Sequence, residues 1–498
     1  MEGRSKNKKE TDGKLNRYPR GHAMKWTNSK EQYKRFIMLL GTILIAAVHT
    51  AMFACLWYNY YANRELTDMR KYFKYFYFYR RGHWTIIVLY ALVLILFMKV
   101  LGGFRVGYLR NLDVLYSQIL SVCATNAVEY LQLALIAKRW KFLWFSSPML
   151  ALSLLQIIVG VIWIIAMRSI YARLYPPHEM LLIYGDISPK ALIHKLQSRG
   201  DKYQVKETIH LKEGINKILE RIAEHESVII GDIPSHERNE FLKFCFQNNI
   251  RCYSVPKISD IMITSASEID LFDSPLLLFR NQGMTFGQSF LKRTMDIAIG
   301  LTGCILASPV MLLIAIAIKL YDGGPVLYSQ ERITKDGRPF RIYKFRSMIV
   351  ESEKRGARLA SEHDDRIKPV GKVIRSLHVD ELPQLFNVLI GDMSFVGPRP
   401  EREEITREYE QSIPQFRFRV KVKAGLTGYA QVYGQYNTVP YDKLKLDLTY
   451  IENYSLWLDL KLILLTVKIL FQKEKSEGVE DSQKTALKTP PAMEQQSK

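Results

Sequence analysis

The sequence predicts a membrane protein of α plus α/β class, and three observations predict it. Four long apolar runs follow a basic N-terminal segment. Beyond residue 178, short buried-strand patterns alternate with helical ones. A further apolar run, interrupted by Ser308-Pro309, precedes a stretch dense in charged motifs. At 498 residues the chain is too long for one core, so several domains are expected. Lys plus Arg number 70 against 49 Asp plus Glu, a formal charge of +21. That surplus suits an acidic partner: nucleic acid, anionic lipid headgroups or phosphorylated substrates.

The first 35 residues are polar and basic and hold no early apolar region, so no signal peptide is expected. The apolar runs 36–58, 84–98, 112–137 and 145–167 follow. A spanning helix needs about 20 mostly apolar residues. The first and fourth runs meet this, the second is short, and the third contains Asp113, Asn126 and Glu129, which packing in a bundle would shelter. Basic and aromatic flanks favour a four-helix transmembrane bundle over 36–170 rather than buried helices of a soluble protein. Eleven Lys and Arg in the 1–35 tail place it in the cytoplasm, and four spans return the chain there. The 59–83 loop disagrees, since it carries Arg64, Arg70, Lys71, Lys74, Arg80 and Arg81. The aromatic run within it, 72–84, reads as an interfacial belt. Beside four spans, anionic lipid and topology explain the basic tail better than nucleic acid does, so no nucleic acid is expected as a partner. The five cysteines form no CxxC pair, which makes a disulfide scaffold or zinc site unexpected.

From 178 to 256, MLLIYGD, YQVKETI, SVIIGDI and IRCYSV read as short strands, with helical stretches at 189–198, 213–225 and 235–248 between them. The alternation predicts a small Rossmann-like parallel-sheet module. Its first turn, YGDISPK, lacks the glycine pattern that lets backbone approach a pyrophosphate, so a scaffold or regulatory role is expected rather than a dinucleotide site. Residues 257–288 read as a linker, and 473–498, polar and poor in aromatics, as a disordered tail.

The apolar stretch 297–318 is long enough to span a bilayer, yet Lys292, Arg293 and Lys319 make both ends basic. Pro309 has no N–H and clashes with the carbonyl of Ile305, so a kink is expected there, with Ser308 helping to satisfy the freed group. A helix that enters and leaves by one face and a kinked span both fit this segment.

In VDELPQLFNVLIGD, Leu382, Leu385, Phe386 and Leu389 recur at helical spacing and Gly391 closes the run. Pro383 is tolerated only in a first turn, which dates the helix start to about Asp380. Asp380 and Glu381 then lie at a helix N-terminus, where the dipole should keep both ionised. Asp380 alone reads as an N-cap. The cations nearby, Lys344, Arg346, Arg375 and the proline-flanked Arg399, shift the reading towards phosphate chemistry. A carboxylate attacking a phosphoryl group meets charge repulsion, which arginines and a divalent ion on a second carboxylate would offset. His378 reads as packing or surface rather than a base.

Over 292–470 the chain resembles the bacterial sugar transferase family, the polyprenyl-phosphate phosphoglycosyl transferases. The motifs are KRTMD, the Ser308-Pro309 pair, GGPVLYSQERI, FRIYKFRSM, IRSLHVDELPQLFNVLIGDMSFVGPRP, KAGLTGYAQV and LDLTYIENYSLWLDLKLILLTV. The whole chain resembles the long form, with a membrane bundle and Rossmann-like module ahead of a monotopic catalytic domain, here 289–472. The resemblance implies transfer of a sugar 1-phosphate from a UDP-sugar to polyprenyl phosphate, releasing UMP, as the priming step of exopolysaccharide, capsule or related glycan synthesis. It implies Asp380 as a nucleophile forming a phospho-sugar intermediate, Glu381 as the Mg²⁺ ligand, and Arg375 and Arg399 facing phosphates, with Lys344 and Arg346 beside them. It also implies a re-entrant membrane helix over 292–320 bent at Ser308-Pro309, a catalytic domain on the cytoplasmic face of the cell membrane, and a homodimer as a further expectation. The sequence departs from the family at KAGLTGY and at Gln435, where a cation is common. A membrane-anchored ligand-sensing scaffold with an inactive transferase domain is the rival, against which intact Asp380, Glu381 and Arg399 argue.

Overall fold

The computed structural model describes residues 24–62, 80–136, 142–279, 283–348, 369–434 and 438–470. The basic tail up to residue 23, residues 63–79 of the basic and aromatic loop, Gln435 and the 473–498 tail lie outside the described residues. The chain divides into two compact units, Met1–Pro256 and Lys257–Lys498.

The first unit opens with four long helices: α1 (Met24–Leu56), α2 (Arg80–Leu101), α3 (Asn111–Ile136) and α4 (Phe142–Leu174). Helix α1 packs on α2 and α4, and α3 packs on the same two, so the four close a ring. Within this unit the segments Tyr33–Tyr61, Gly82–Leu101 and Ser147–Leu174 are long and apolar enough to cross a membrane. Helix α3 completes the bundle and carries a polar row: Ser117, Ser121, Thr125 and Glu129 recur every four residues and are all buried.

Sheltering of α3 within the bundle is as expected at Asn126, which is 2% exposed. Its Oδ1 accepts from the Tyr90 hydroxyl at 2.9 Å, and its Nδ2 donates to Ser153 Oγ at 2.8 Å and Gln156 Oε1 at 2.9 Å. The Gln156 Nε2 donates in turn to the main-chain oxygen of His49 at 3.0 Å. One polar knot therefore ties all four helices where unpaired polar groups would be costly.

The Rossmann-like module follows expectation. Strands β1 (His178–Tyr184), β2 (Tyr203–His210), β3 (Ser227–Ile230) and β4 (Arg251–Ser254) form a parallel sheet in the order β2-β1-β3-β4. The intervening helices are α5 (Lys190–Gln197), α6 (Ile215–Ala223) and α7 (Ser235–Gln247). Ile218, Ile222, Phe241 and Phe244 cover one face of the sheet, and Leu192, Ile193 and Leu196 the other. Strands covered on both faces must be apolar throughout, which is why β1 and β3 read so plainly in the sequence.

The second unit begins where a linker was expected. Residues 257–288 instead hold α8 (Ile258–Ser265) and a hairpin of β5 (Ser267–Leu271) and β6 (Ser274–Leu278). The Asp260 carboxylate accepts from the Lys257 amide at 2.7 Å and starts α8, and Ser265 Oγ donates to Glu452 at 3.1 Å. Helix α9 (Phe286–Asp322) is also longer than the expected 292–320, because Thr285 and Gln288 cap it reciprocally and Gly323, at φ 66°, ends it. It runs through Pro309 without interruption. Ser308 Oγ donates to the Ile305 oxygen at 2.8 Å, satisfying the carbonyl that the proline frees. Its segment Phe286–Tyr321 is a further helix long and apolar enough to cross a membrane.

The catalytic-motif region follows: an antiparallel pair β7 (Leu327–Ile333) and β8 (Pro339–Phe345), then α10 (Pro369–Ser376), α11 (Gln384–Ile390), β9 (Ser394–Val396), α12 (Glu403–Ser412), β10 (Gly425–Thr427), α13 (Tyr429–Tyr433), α14 (Pro440–Glu452) and α15 (Leu456–Leu470). Strands β9 and β10 pair in parallel.

Asn126→Leu should leave the Tyr90 hydroxyl proton without its acceptor and Gln156 Oε1 without its donor, lowering stability by ~1–3 kcal/mol. Thermal unfolding of the detergent-solubilised chain measures this. An unchanged midpoint would mean that the knot contributes nothing.

Candidate active site

The two adjacent carboxylates do not lie in the first turn of an α-helix. Val379–Glu381 forms a 3₁₀ turn, and α11 begins only after Pro383. Pro383 has no N–H to give to Val379, so the turn closes one residue early, through Leu382 N to Val379 O at 3.3 Å. The Glu381 amide is likewise used, on His378 O at 3.4 Å. Helix-end amides are therefore not what sets the charge of this pair, and the expectation of an N-terminal dipole site is corrected. His378 enters the turn with a left-handed backbone, φ 55°.

Lysine and arginine side chains take that role, and they treat the two acids differently. Glu381 Oε1 is 2.6 Å from Lys344 Nζ and 3.1 Å from Arg399 Nη2. Burial pushes the Glu381 carboxyl up, but the charges of Lys344 and Arg399 outweigh it and hold the group well below the usual carboxylate range. Asp380 makes no ion pair among the described residues. Burial raises its carboxyl above the ordinary value; Lys344 and Arg375 oppose the rise, and Glu381 adds to it. The structure thus separates a firmly ionised acid clamped between two cations from an acid that no cation clamps among the described residues.

Each part of the clamp is fixed from behind. Lys344 projects from β8, and Asn387, fully buried on α11, ties that strand down: its Oδ1 accepts from the Tyr343 amide at 3.1 Å and its Nδ2 donates to Arg341 O at 2.7 Å. Arg375 ends α10 and reaches Asp380 only through its charge. Arg346 is buried just beyond β8, with its guanidinium packed over Gly324, where a Cβ would come within 2.4 Å of it. Of the four cations expected at the phosphates, Lys344 and Arg399 therefore meet on Glu381, and Arg346 lies under a glycine.

Arg399 stands in the loop after β9. A Cβ at Gly397, Gly425 or Gly428 would come within 2.0–2.3 Å of backbone atoms of the facing segment, so the loop and the β10 turn pack main chain on main chain. Behind the loop lies a buried ionic cluster that the sequence reading missed. Arg419 pairs with Asp447 at 2.8 Å and with Glu401 at 3.6 Å, and Lys443 also pairs with Glu401. Burial pushes the Glu401 carboxyl up, and Lys443 and Arg419 more than reverse it, to about 2. The sequence signal for this cluster was faint: single charges spaced through FRFRV and YDKLKLD resemble a solvated face.

Among the described residues no three His, Cys, Asp or Glu side chains converge as a metal cage. An Mg²⁺ ion keeps several waters and takes one or two carboxylates together with substrate phosphates, so it does not require such a cage.

Residues 287–473 match the profile of a family described as bacterial sugar transferase. The chain is 40% identical over 246 residues to the UDP-N-acetylgalactosamine-undecaprenyl-phosphate N-acetylgalactosaminephosphotransferase of Aeromonas hydrophila, covering 47% of this chain and 55% of that protein. It is 42% identical over 261 residues to a UDP-glucose:undecaprenyl-phosphate glucose-1-phosphate transferase of Klebsiella pneumoniae, covering 51% and 54%. A protein of the same description from Caulobacter vibrioides is 40% identical over 184 residues, which cover 36% of this chain and 69% of that one. The chain thus spans about half the length of the first two relatives.

Glu401 supplies a stability test. A carboxyl lowered on folding stabilises the folded chain above its unfolded value, about 4.3, and that contribution is lost as pH falls towards about 2. Wild type should lose more stability across this window than Glu401→Gln, as read by unfolding midpoints at stepped pH. Parallel pH curves would show that the cluster does not hold the Glu401 charge.

Proposed function

This chain belongs to the bacterial sugar transferase family, and we propose that it transfers a sugar 1-phosphate from a UDP-sugar to polyprenyl phosphate, releasing UMP. The observation that carries the reading is the unequal pair: an unclamped Asp380 beside a Glu381 held ionised by Lys344 and Arg399. In the first step a carboxylate oxygen of Asp380 attacks the phosphorus that bears the sugar. The bond from that phosphorus to the bridging oxygen breaks, and UMP leaves with the oxygen and its electron pair. In the second step an oxygen of polyprenyl phosphate attacks the same phosphorus, the diphosphate forms, and Asp380 is released as a carboxylate. Arg399 and Arg375 neutralise charge on the phosphate oxygens. Glu381, with Asp380 beside it, would hold Mg²⁺, which supplies further charge neutralisation to the phosphates.

The membrane helix supports a single-sided placement of this chemistry. Near its start, Lys292 donates to Asp459 at 2.7 Å and Arg293 to the Val388 and Leu389 oxygens at 2.6 and 2.7 Å. Near its end, Ile318 packs with Phe345 and Ile374. A helix of 37 residues is about 55 Å long if straight, more than the ~30 Å hydrocarbon core. With both ends seated on one folded unit, that unit and both ends belong on one face of the bilayer. The middle of α9, with Ile305, Leu306 and Leu313 each more than 60% exposed, enters the lipid. The basic tail and the solubility of UDP-sugars support the cytoplasmic side for that face. The ligand-sensing scaffold is the outcome in which no UDP-sugar is turned over.

A panel of UDP-sugars, assayed for UMP release in native-like membrane, tests the reaction. Asp380→Asn should abolish turnover and the labelled sugar-phosphate that wild type carries; a labelled and active variant would remove Asp380 from the nucleophile role.

Asp380 must be ionised to attack, and its raised carboxyl places the acid limb of the kcat/KM profile, which reports the free enzyme, above the ordinary Asp value of about 3.9. Lys344 is the main charge opposing that rise, so Lys344→Met should move the limb to higher pH as well as lowering kcat. A limb unmoved in that variant would show that Lys344 does not govern Asp380.

A further inference from the structure

The carbonyls of four successive residues in the proline-flanked loop are each held by a different partner. Pro398 O accepts from the Gly425 amide at 2.9 Å, Arg399 O from Arg419 Nη2 at 2.9 Å, Pro400 O from Arg332 Nη1 at 3.3 Å, and Glu401 O from the Ile333 amide at 3.1 Å. Prolines 398 and 400 restrict the torsions of the loop but do not fix where it sits. The middle of the loop is held by guanidinium groups, and that of Arg419 is the more deeply committed. Its side chain is 4% exposed, its Nε and Nη2 reach Asp447 at 3.0 and 2.8 Å, and its Nη1 faces Glu401 at 3.6 Å. Asp447 is itself 1% exposed.

Burying such a group is poorly explained by stability, since the desolvation of a buried ion pair offsets much of its attraction. Its location is better explained by what it touches. Arg419 grips the main chain of the residue whose side chain lies on Glu381. The planar fork of arginine serves Asp447, Glu401 and the Arg399 carbonyl at once. The single ammonium of lysine cannot span all three.

We propose that Arg419, backed by Asp447 and Glu401, is a positioning residue for phosphoryl transfer: it fixes the Arg399 main chain so that the Arg399 guanidinium stays between Glu381 and the substrate phosphates. This rests on the transferase reading above. Arg332 performs the same task at the next carbonyl. Neither arginine touches the reacting atoms.

The test is a double-mutant cycle in the full chain. Arg419→Lys should lower kcat about tenfold with KM little changed, as expected when an interaction specific to the transition state is loosened. In an Arg399→Lys background the same change should cost less than about twofold, because the group it positions is gone. Penalties that multiply in full, the result a role in general folding would give, would overturn the proposal. Arg332→Lys provides a second cycle with the same expectation, so a poorly folding Arg419 variant does not end the test. Hydrogen exchange gives a readout independent of turnover. Amides of 397–403 should exchange about fivefold faster in Arg419→Lys, the effect of one hydrogen bond, with the rest of the unit unchanged. If wild type releases no UMP from any UDP-sugar, the transferase reading fails by itself. Unchanged exchange in 397–403 would overturn the positioning role whatever the turnover.

Discussion

A single oxygen, Glu381 Oε1, is the point on which the catalytic unit turns. Lys344 arrives on it from a β-hairpin and Arg399 from a loop after a two-stranded parallel pair. Neither cation is near the carboxylate in sequence, so the contact exists only when three separate elements are in register. Much of the surrounding structure serves that register: Asn387 tying β8 to α11, the glycines that let two backbones touch, and the guanidinium groups under the loop. Remove the shared oxygen and two cations are left facing each other beside Asp380.

The two acids illustrate how adjacent side chains of nearly the same chemistry acquire opposite properties. Both are withdrawn from water, which alone would raise both. Glu381 receives two close cations and is held ionised, whereas Asp380 receives only through-space help and remains raised. A carboxylate that no cation clamps among the described residues is the better nucleophile, and a clamped one the better electrostatic anchor.

Elements that bury continuous apolar runs were legible in the sequence. β1 and β3 were plain because a sheet covered on both faces admits little else, and the long helices because lipid and bundle packing demand length. The acid pair and the proline-flanked arginine were legible because their spacing is unusual. What escaped were features defined by partners far away along the chain. Asn387 looked like one polar residue in an apolar helix, and only the fold shows it bridging 44 and 46 residues to β8. Arg419 and Asp447, 28 residues apart, looked like surface charge. The helix start near Asp380 was misplaced because Pro383 was read as sitting inside the first turn, when its missing N–H in fact delays the helix. The segment before α9 was read as a linker because α8 and its hairpin are too short to leave a periodic signal.

With α9 in the bilayer as proposed, its seating would give lipid a mechanical route to the acid pair. Lys292 Nζ holds the Val396 oxygen at 2.9 Å, and Asp296 takes the Phe395 amide at 2.9 Å and the Ser394 hydroxyl at 2.8 Å. Those residues are β9, and Arg399 follows three positions after it. A change in membrane thickness or lateral pressure that tilts α9 would then load this strand directly, and lipid composition would become a variable that the clamp on Glu381 feels.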